Sequence, residues 1–107
     1  MIKEIFVKEL DKILKDSKKK KDYFVLDVRQ SEERTYGTIK GDVLIPMGEI
    51  SERLDEIPKN KKIVVYCRSG SRSMEVGNFL QFKKFDVVNL RGGILSWKEI
   101  DPSVILY

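Results

Sequence analysis

The sequence predicts an open α/β fold, a small and mainly parallel five-stranded sheet with helices on both faces. Three observations carry this expectation. Short apolar runs of strand length alternate with stripes of helical spacing along the whole chain. The run Tyr23, Phe24, Val25, Leu26 is continuously apolar rather than alternating, as in a strand covered on both sides. The 107 residues contain no internal repeat and no linker-like stretch, so residues 1–107 are expected to form one domain.

Taken in order, a short strand near Ile2 to Ile5 leads into an amphipathic helix over Phe6 to Asp16, striped by Val7, Leu10, Ile13 and Leu14. The cluster Lys18 to Lys21 follows as a solvated loop, and the strand Tyr23 to Leu26 ends in Asp27, Val28, Arg29. Ser31 is placed to cap a short helix over Glu32 to Tyr36, stopped by Gly37. Val43 to Ile45 form the third strand, closed by Pro46. Ile50, Leu54 and Ile57 then mark a helical stripe that Pro58 terminates. Ile63 to Tyr66, a strongly β-forming run, ends at Cys67. Beyond the segment Cys67 to Ser73, the stripe Val76, Phe79, Leu80 predicts a helix with Lys83 and Lys84 in its final turn. Val87, Val88 and Leu90 give the last strand. Gly92 and Gly93 turn the chain into a short helix bearing Ile94, Leu95 and Trp97, and the tail from Asp101 to Tyr107 is apolar enough to pack back on the body.

Composition removes several kinds of chemistry. With no histidine, Ser-His-Asp triads, Cys-His proteases and His-containing zinc sites are excluded within the chain. A single cysteine allows no internal disulfide, no Cys-x-x-Cys pair and no thiolate cluster. No metal and no cofactor are therefore expected. The net charge of +4 is assigned to solvated lysines rather than to a nucleic-acid surface. Apolar stretches are too short to span a membrane, and the opening residues carry charges in a helical rhythm unlike a leader. The expectation is a cytoplasmic monomer.

In open α/β sheets, ligands bind beyond the carboxyl ends of the strands, where loops enter helices. Cys67, Arg68, Ser69, Gly70, Ser71, Arg72, Ser73 occupy that place. Gly70 permits the positive φ at which successive N–H groups turn inward, and the following helix presents its unpaired N–H groups to the same point. A helix N-terminus with nearby cations lowers a thiol pKa and leaves a nucleophilic thiolate without any histidine. The bland reading of Cys67, a small buried hydrophobe at a strand end, competes with this one. The convergence of strand, turn, arginines, hydroxyls and helix favours function.

The string Cys-Arg-Ser-Gly-Ser-Arg-Ser resembles the active-site loop of the rhodanese family of sulfurtransferases. Further marks fall in that family's order: Asp27, Val28, Arg29; Gly37, Thr38, Ile39, Lys40, Gly41; and Leu90, Arg91, Gly92, Gly93 before Trp97. The resemblance implies that Cys67 takes the outer sulfur of thiosulfate or a low-molecular-weight persulfide and passes it to cyanide or a thiol. It also implies that the backbone from Arg68 to Ser73 cradles the persulfide, while Arg68 and Arg72 favour the thiolate and hold an anionic donor. Ser71 and Ser73 either donate to the bound anion or cap the helix. Arg91 faces the same mouth as a substrate contact, or is a solvated arginine. Asp27 and Arg29 are expected to be structural, with Arg29 a partner for Glu33.

Where the family commonly has Gly-His-Ile-Pro-Gly-Ala, this chain has Gly37, Thr38, Ile39, Lys40, Gly41, Asp42, so no role of that histidine carries over. Phosphatase and arsenate reductase loops resemble Cys-x5-Arg, whereas four residues separate Cys67 from Arg72. The shorter ring suits a sulfur atom better than a tetrahedral oxyanion. A persulfide carrier or interaction module serving a protein sulfur acceptor is the other reading, since no second thiol in the chain can receive the sulfur.

Overall fold

The computed structural model describes residues 1–107. Its strands are β1 (Glu4–Ile5), β2 (Tyr23–Asp27), β3 (Val43–Leu44), β4 (Lys62–Tyr66) and β5 (Asp86–Leu90); its α-helices are α1 (Val7–Lys15), α2 (Ser71–Phe82) and α3 (Gly93–Trp97). The five strands form one sheet in the order β1-β5-β4-β2-β3, and every pairing is parallel. All their carboxyl ends therefore meet at one edge.

The continuous hydrophobicity of the central strands follows from burial on both sides. Side chains alternate along a strand, so Val64 and Tyr66 of β4 turn to one face while Ile63, Val65 and the next residue, Cys67, turn to the other. The first face packs under Val7, Leu10 and Ile13 of α1 and Ile94 and Trp97 of α3. The second packs under Val76 and Leu80 of α2, with Ile50 and Ile57 beside them. This alternation directs Cys67 beneath the start of α2.

Three local expectations change. The stripe Ile50, Leu54, Ile57 does not wind into one helix: 3-10 turns at Met47–Glu52 and Leu54–Glu56 meet at Arg53, whose φ of −124° interrupts the winding. Buried Ile50 and Ile57 are satisfied equally by two short turns, and Arg53 bonds Glu49 and Glu56 on either side of the break. Ser31 is not a cap but the first residue of a 3-10 helix, Ser31–Tyr36; its hydroxyl turns to Glu32, and the Glu33 carboxylate accepts the Gln30 N–H instead. Lys83 and Lys84 lie just beyond α2 rather than in its last turn. The tail packs back through buried Val104 and through the Ile105 N–H to Tyr36 carbonyl bond, while Ile105 and Leu106 are exposed.

The segment between β2 and β3 is held by a charged network. Asp27 and Arg29 are both 0% exposed and share two hydrogen bonds of 2.9 Å. Arg34 bridges Asp27 to Asp42, and Asp42 accepts a hydrogen bond from the Tyr66 hydroxyl. Arg29 also donates to the Glu33 and Gly37 carbonyls. Its expected ion pair with Glu33 is thus replaced by a contact to that residue's backbone, because Asp27 claims the fork of the guanidinium.

Removing one partner of a buried pair strands the other charge. Asp27→Ala is expected to lower unfolding stability by about 3–5 kcal/mol in urea titrations, since Arg29 has no route to water. A loss below about 1 kcal/mol, the size of a surface pair, would contradict that account.

Candidate active site

Cys67 leaves β4 with its Sγ turned into the loop, where backbone donors converge. The Gly70 N–H lies 3.1 Å from the sulfur and the Ser73 N–H 3.4 Å. Gly70 is in the left-handed region at φ 113°, which reverses the chain so that its own N–H points back at the cysteine three residues earlier. The carbonyls on the outer side of the loop are taken up by α3: Ile94 N–H donates to Cys67 O at 2.9 Å and Leu95 N–H to Arg68 O at 3.2 Å. That contact needs a glycine at 93, where a Cβ would stand 2.5 Å from Arg68 O and 2.6 Å from Cys67 O.

Behind the sulfur sits a second layer, entirely buried. Ser73 is 0% exposed, and its hydroxyl lies 3.3 Å from Cys67 Sγ and 2.6 Å from Asn89 Oδ1. The Asn89 amide nitrogen donates to Gly70 O at 3.1 Å and to Glu4 at 3.3 Å, which fixes its oxygen toward Ser73. Neither Ser71 nor Ser73 caps α2, whose N-cap position is Gly70; Ser71 is exposed, and Ser73 serves the sulfur side instead. Asn89 was not singled out from the sequence. A polar residue within the apolar run Val87, Val88, Asn89, Leu90 was the available signal, because a buried amide must be hydrogen-bonded.

The rim differs from expectation. Arg72 is not open to an anion: it makes a two-point pair with Glu33 at 2.8 and 2.8 Å, and the Tyr107 hydroxyl donates to the same carboxylate at 2.7 Å. Arg68 is exposed, makes no ion pair and lies over the Tyr107 ring, which stacks on Tyr36. Ser69 is exposed beside it. Arg91, 63% exposed, turns toward β1, 4.0 Å from Glu4 and over Phe6. It stands at the sheet edge, just past the end of β5. The largest concavity, about 810 Å³ between Lys12, Lys59, Lys62 and Asp86, lies at the other end of the strands. No group of His, Cys, Asp and Glu side chains is arranged to hold a metal.

These contacts settle how the thiol ionises. Burial pushes its pKa up, and the Ser73 hydroxyl together with the N–H groups of Ser73, Gly70 and Ser69 outweighs burial, leaving the thiol below its ordinary value. Hydrogen bonds rather than arginines carry the effect. Arg72 senses the sulfur's charge but is offset by Glu33, whose carboxyl is held down to about 2, chiefly by Arg72. Such a depressed carboxyl contributes stability above its ordinary value of 4.5 that is lost as pH falls toward about 2, so the pair is intact at neutral pH.

Residues 7–100 match the family model described as rhodanese-like domain. The chain is 41% identical over 75 residues to the putative sulfurtransferase YtwF of Bacillus subtilis, covering 70% of this chain and 73% of that one. It is 38% identical over 98 residues to a sulfurtransferase of Allochromatium vinosum, covering 91% and 89%. The crystal structure of a rhodanese-related protein from Thermoplasma volcanium superposes with a TM-score of 0.82 at 32% identity, over 92% of this chain and 93% of that one.

Ser73→Ala removes the one side-chain donor to the sulfur. Alkylation of Cys67 by iodoacetamide at neutral pH is expected to slow by about fivefold, equivalent to one hydrogen bond. Its pH–rate midpoint should move to higher pH, because less thiolate is present at any given pH. An unchanged midpoint would show that the backbone alone sets the ionisation.

Proposed function

The chain belongs to the rhodanese-like domain family, and we propose that it is a sulfurtransferase in which Cys67 carries the sulfur. In the first half-reaction the Cys67 thiolate attacks the outer sulfur of thiosulfate or of a thiol persulfide. A sulfur–sulfur bond forms at Sγ as the donor's own bond breaks. Sulfite leaves from thiosulfate with both of the donor's charges, or a thiolate leaves from a persulfide and takes a proton. In the second, cyanide or an acceptor thiol attacks the outer sulfur of the Cys67 persulfide and restores the thiolate. One nucleophile serving both halves gives ping-pong kinetics.

The observation that carries this reading is the ring of donors around Sγ, with Gly70 and Ser73 N–H groups and the Ser73 hydroxyl all within 3.4 Å. Such a ring stabilises negative charge on sulfur without a general base. Cys67 is 1% exposed, so a donor must present its reacting atom on a slender end, as a sulfane sulfur does. With no second thiol in the chain, the acceptor comes from outside, either a small molecule or a protein.

Incubation with thiosulfate, or with glutathione persulfide, should raise the intact mass by one sulfur atom. Cys67→Ser should gain none, and added cyanide should release the sulfur as thiocyanate. No mass gain with either donor would sink the proposal. Release only to a particular protein, with cyanide inert, would support a persulfide carrier in place of a turnover enzyme.

A further inference from the structure

We infer that Glu33, by occupying Arg72, makes this site selective for sulfur borne on a thiol, a persulfide, over the thiosulfate dianion. The inference rests on the sulfur-transfer reading above and names its donor class.

The two donors differ in what they ask of the rim. Thiosulfate brings a sulfonate-like group whose charge grows to two on the departing sulfite, and that charge lies outside the N–H ring that serves Sγ. It calls for a guanidinium fork at the rim, the geometry that matches an oxyanion. A persulfide concentrates its charge on the outer sulfur, the atom that is transferred, and its leaving thiolate takes up a proton. Backbone donors around Sγ suffice for it.

The arginines near the loop are nearly all committed. Arg29 is buried on Asp27, and Arg34 is spent between Asp27 and Asp42. Arg72 has both terminal nitrogens on Glu33, and Glu33 is held further by the Gln30 N–H and the Tyr107 hydroxyl. Freeing Arg72 for an anion would leave this half-buried carboxylate without its partner. Arg91 turns to Glu4 and Phe6. Arg68 remains as the one rim guanidinium outside an ion pair, spread over the face of Tyr107. A single exposed guanidinium is a weak site for a dianion in salt. Glu33 acts here as a positioning residue, through Arg72, and its effect belongs in KM for the charged donor.

The test measures kcat/KM for thiosulfate and for 2-hydroxyethyl persulfide, which carries no carboxylate, with cyanide as common acceptor, in the wild type and in Glu33→Gln. The wild type should favour the persulfide by about tenfold or more, the worth of one charge-assisted contact. In Glu33→Gln the persulfide-to-thiosulfate ratio should fall by about the same factor, through a lower KM for thiosulfate. Equal wild-type values for both donors, or a ratio that Glu33→Gln leaves unmoved, would overturn the inference while leaving sulfur transfer standing. If Glu33→Gln does not fold, Arg72→Gln supplies the second reading. Because the guanidinium is already committed, thiosulfate KM should change no more than persulfide KM, and a selective rise for thiosulfate would overturn the inference. Failure of either donor to load sulfur on Cys67 would overturn it together with the reading it rests on.

Discussion

The site depends on two hydrogen bonds that do not touch the sulfur. A peptide group points its carbonyl and its N–H in opposite directions, so whatever anchors one aims the other. By taking the Cys67 and Arg68 carbonyls, the Ile94 and Leu95 N–H groups fix the first two peptide groups of the loop, and the second of these aims the Ser69 N–H at the sulfur. The anchoring requires α3 to approach backbone to backbone, which Gly93 allows. It also requires β5, which delivers α3, to lie beside β4, which delivers Cys67, and the sheet order supplies this. Fold and loop geometry are therefore one constraint. A different strand order would leave the same seven residues without their aim.

The electrostatic design is economical in free charge. Near Cys67, Arg72 is matched with Glu33 and Arg29 with Asp27, leaving Arg68 outside an ion pair, while the hydrogen bonds to the sulfur come from N–H and O–H dipoles. Dipoles fixed by secondary structure are not screened by salt as a mobile surface charge is. Thiolate stability is carried chiefly by hydrogen bonds to the sulfur, with the charge of Arg72 acting beside them.

How much was legible in the sequence depended on range. The β-forming run that ends at Cys67, the reversal at Gly70 and the covering of both sheet faces were readable because each is written in neighbouring residues. The Ile50, Leu54, Ile57 stripe misled because apolar spacing of four and three fits one helix or two short turns equally. The partner of Arg72 was out of reach. Glu33 lies 39 positions away and meets it only because β2 and β4 pair side by side. Asn89 and Tyr107 were missed for the same reason, each defined by contacts that the topology brings together.

Ser73 gives the loop its one movable dipole. The Ser69 N–H is tied at its far end by the Arg68 carbonyl's bond to Leu95 and the Ser73 N–H lies in the first turn of α2, so neither has to swing when charge arrives, departs or shifts outward by one bond. The hydroxyl is different: it has one proton and three acceptors in reach, Asn89 Oδ1, the Gly70 carbonyl and the sulfur. The Asn89 contact is the shorter at 2.6 Å, against 3.3 Å to the sulfur, and negative charge on Sγ favours turning the proton toward it. Reorganisation of this site in a sulfur-transfer cycle thereby reduces to the turn of a single O–H bond, and the energy that water would spend reorienting around an exposed thiolate is largely absent.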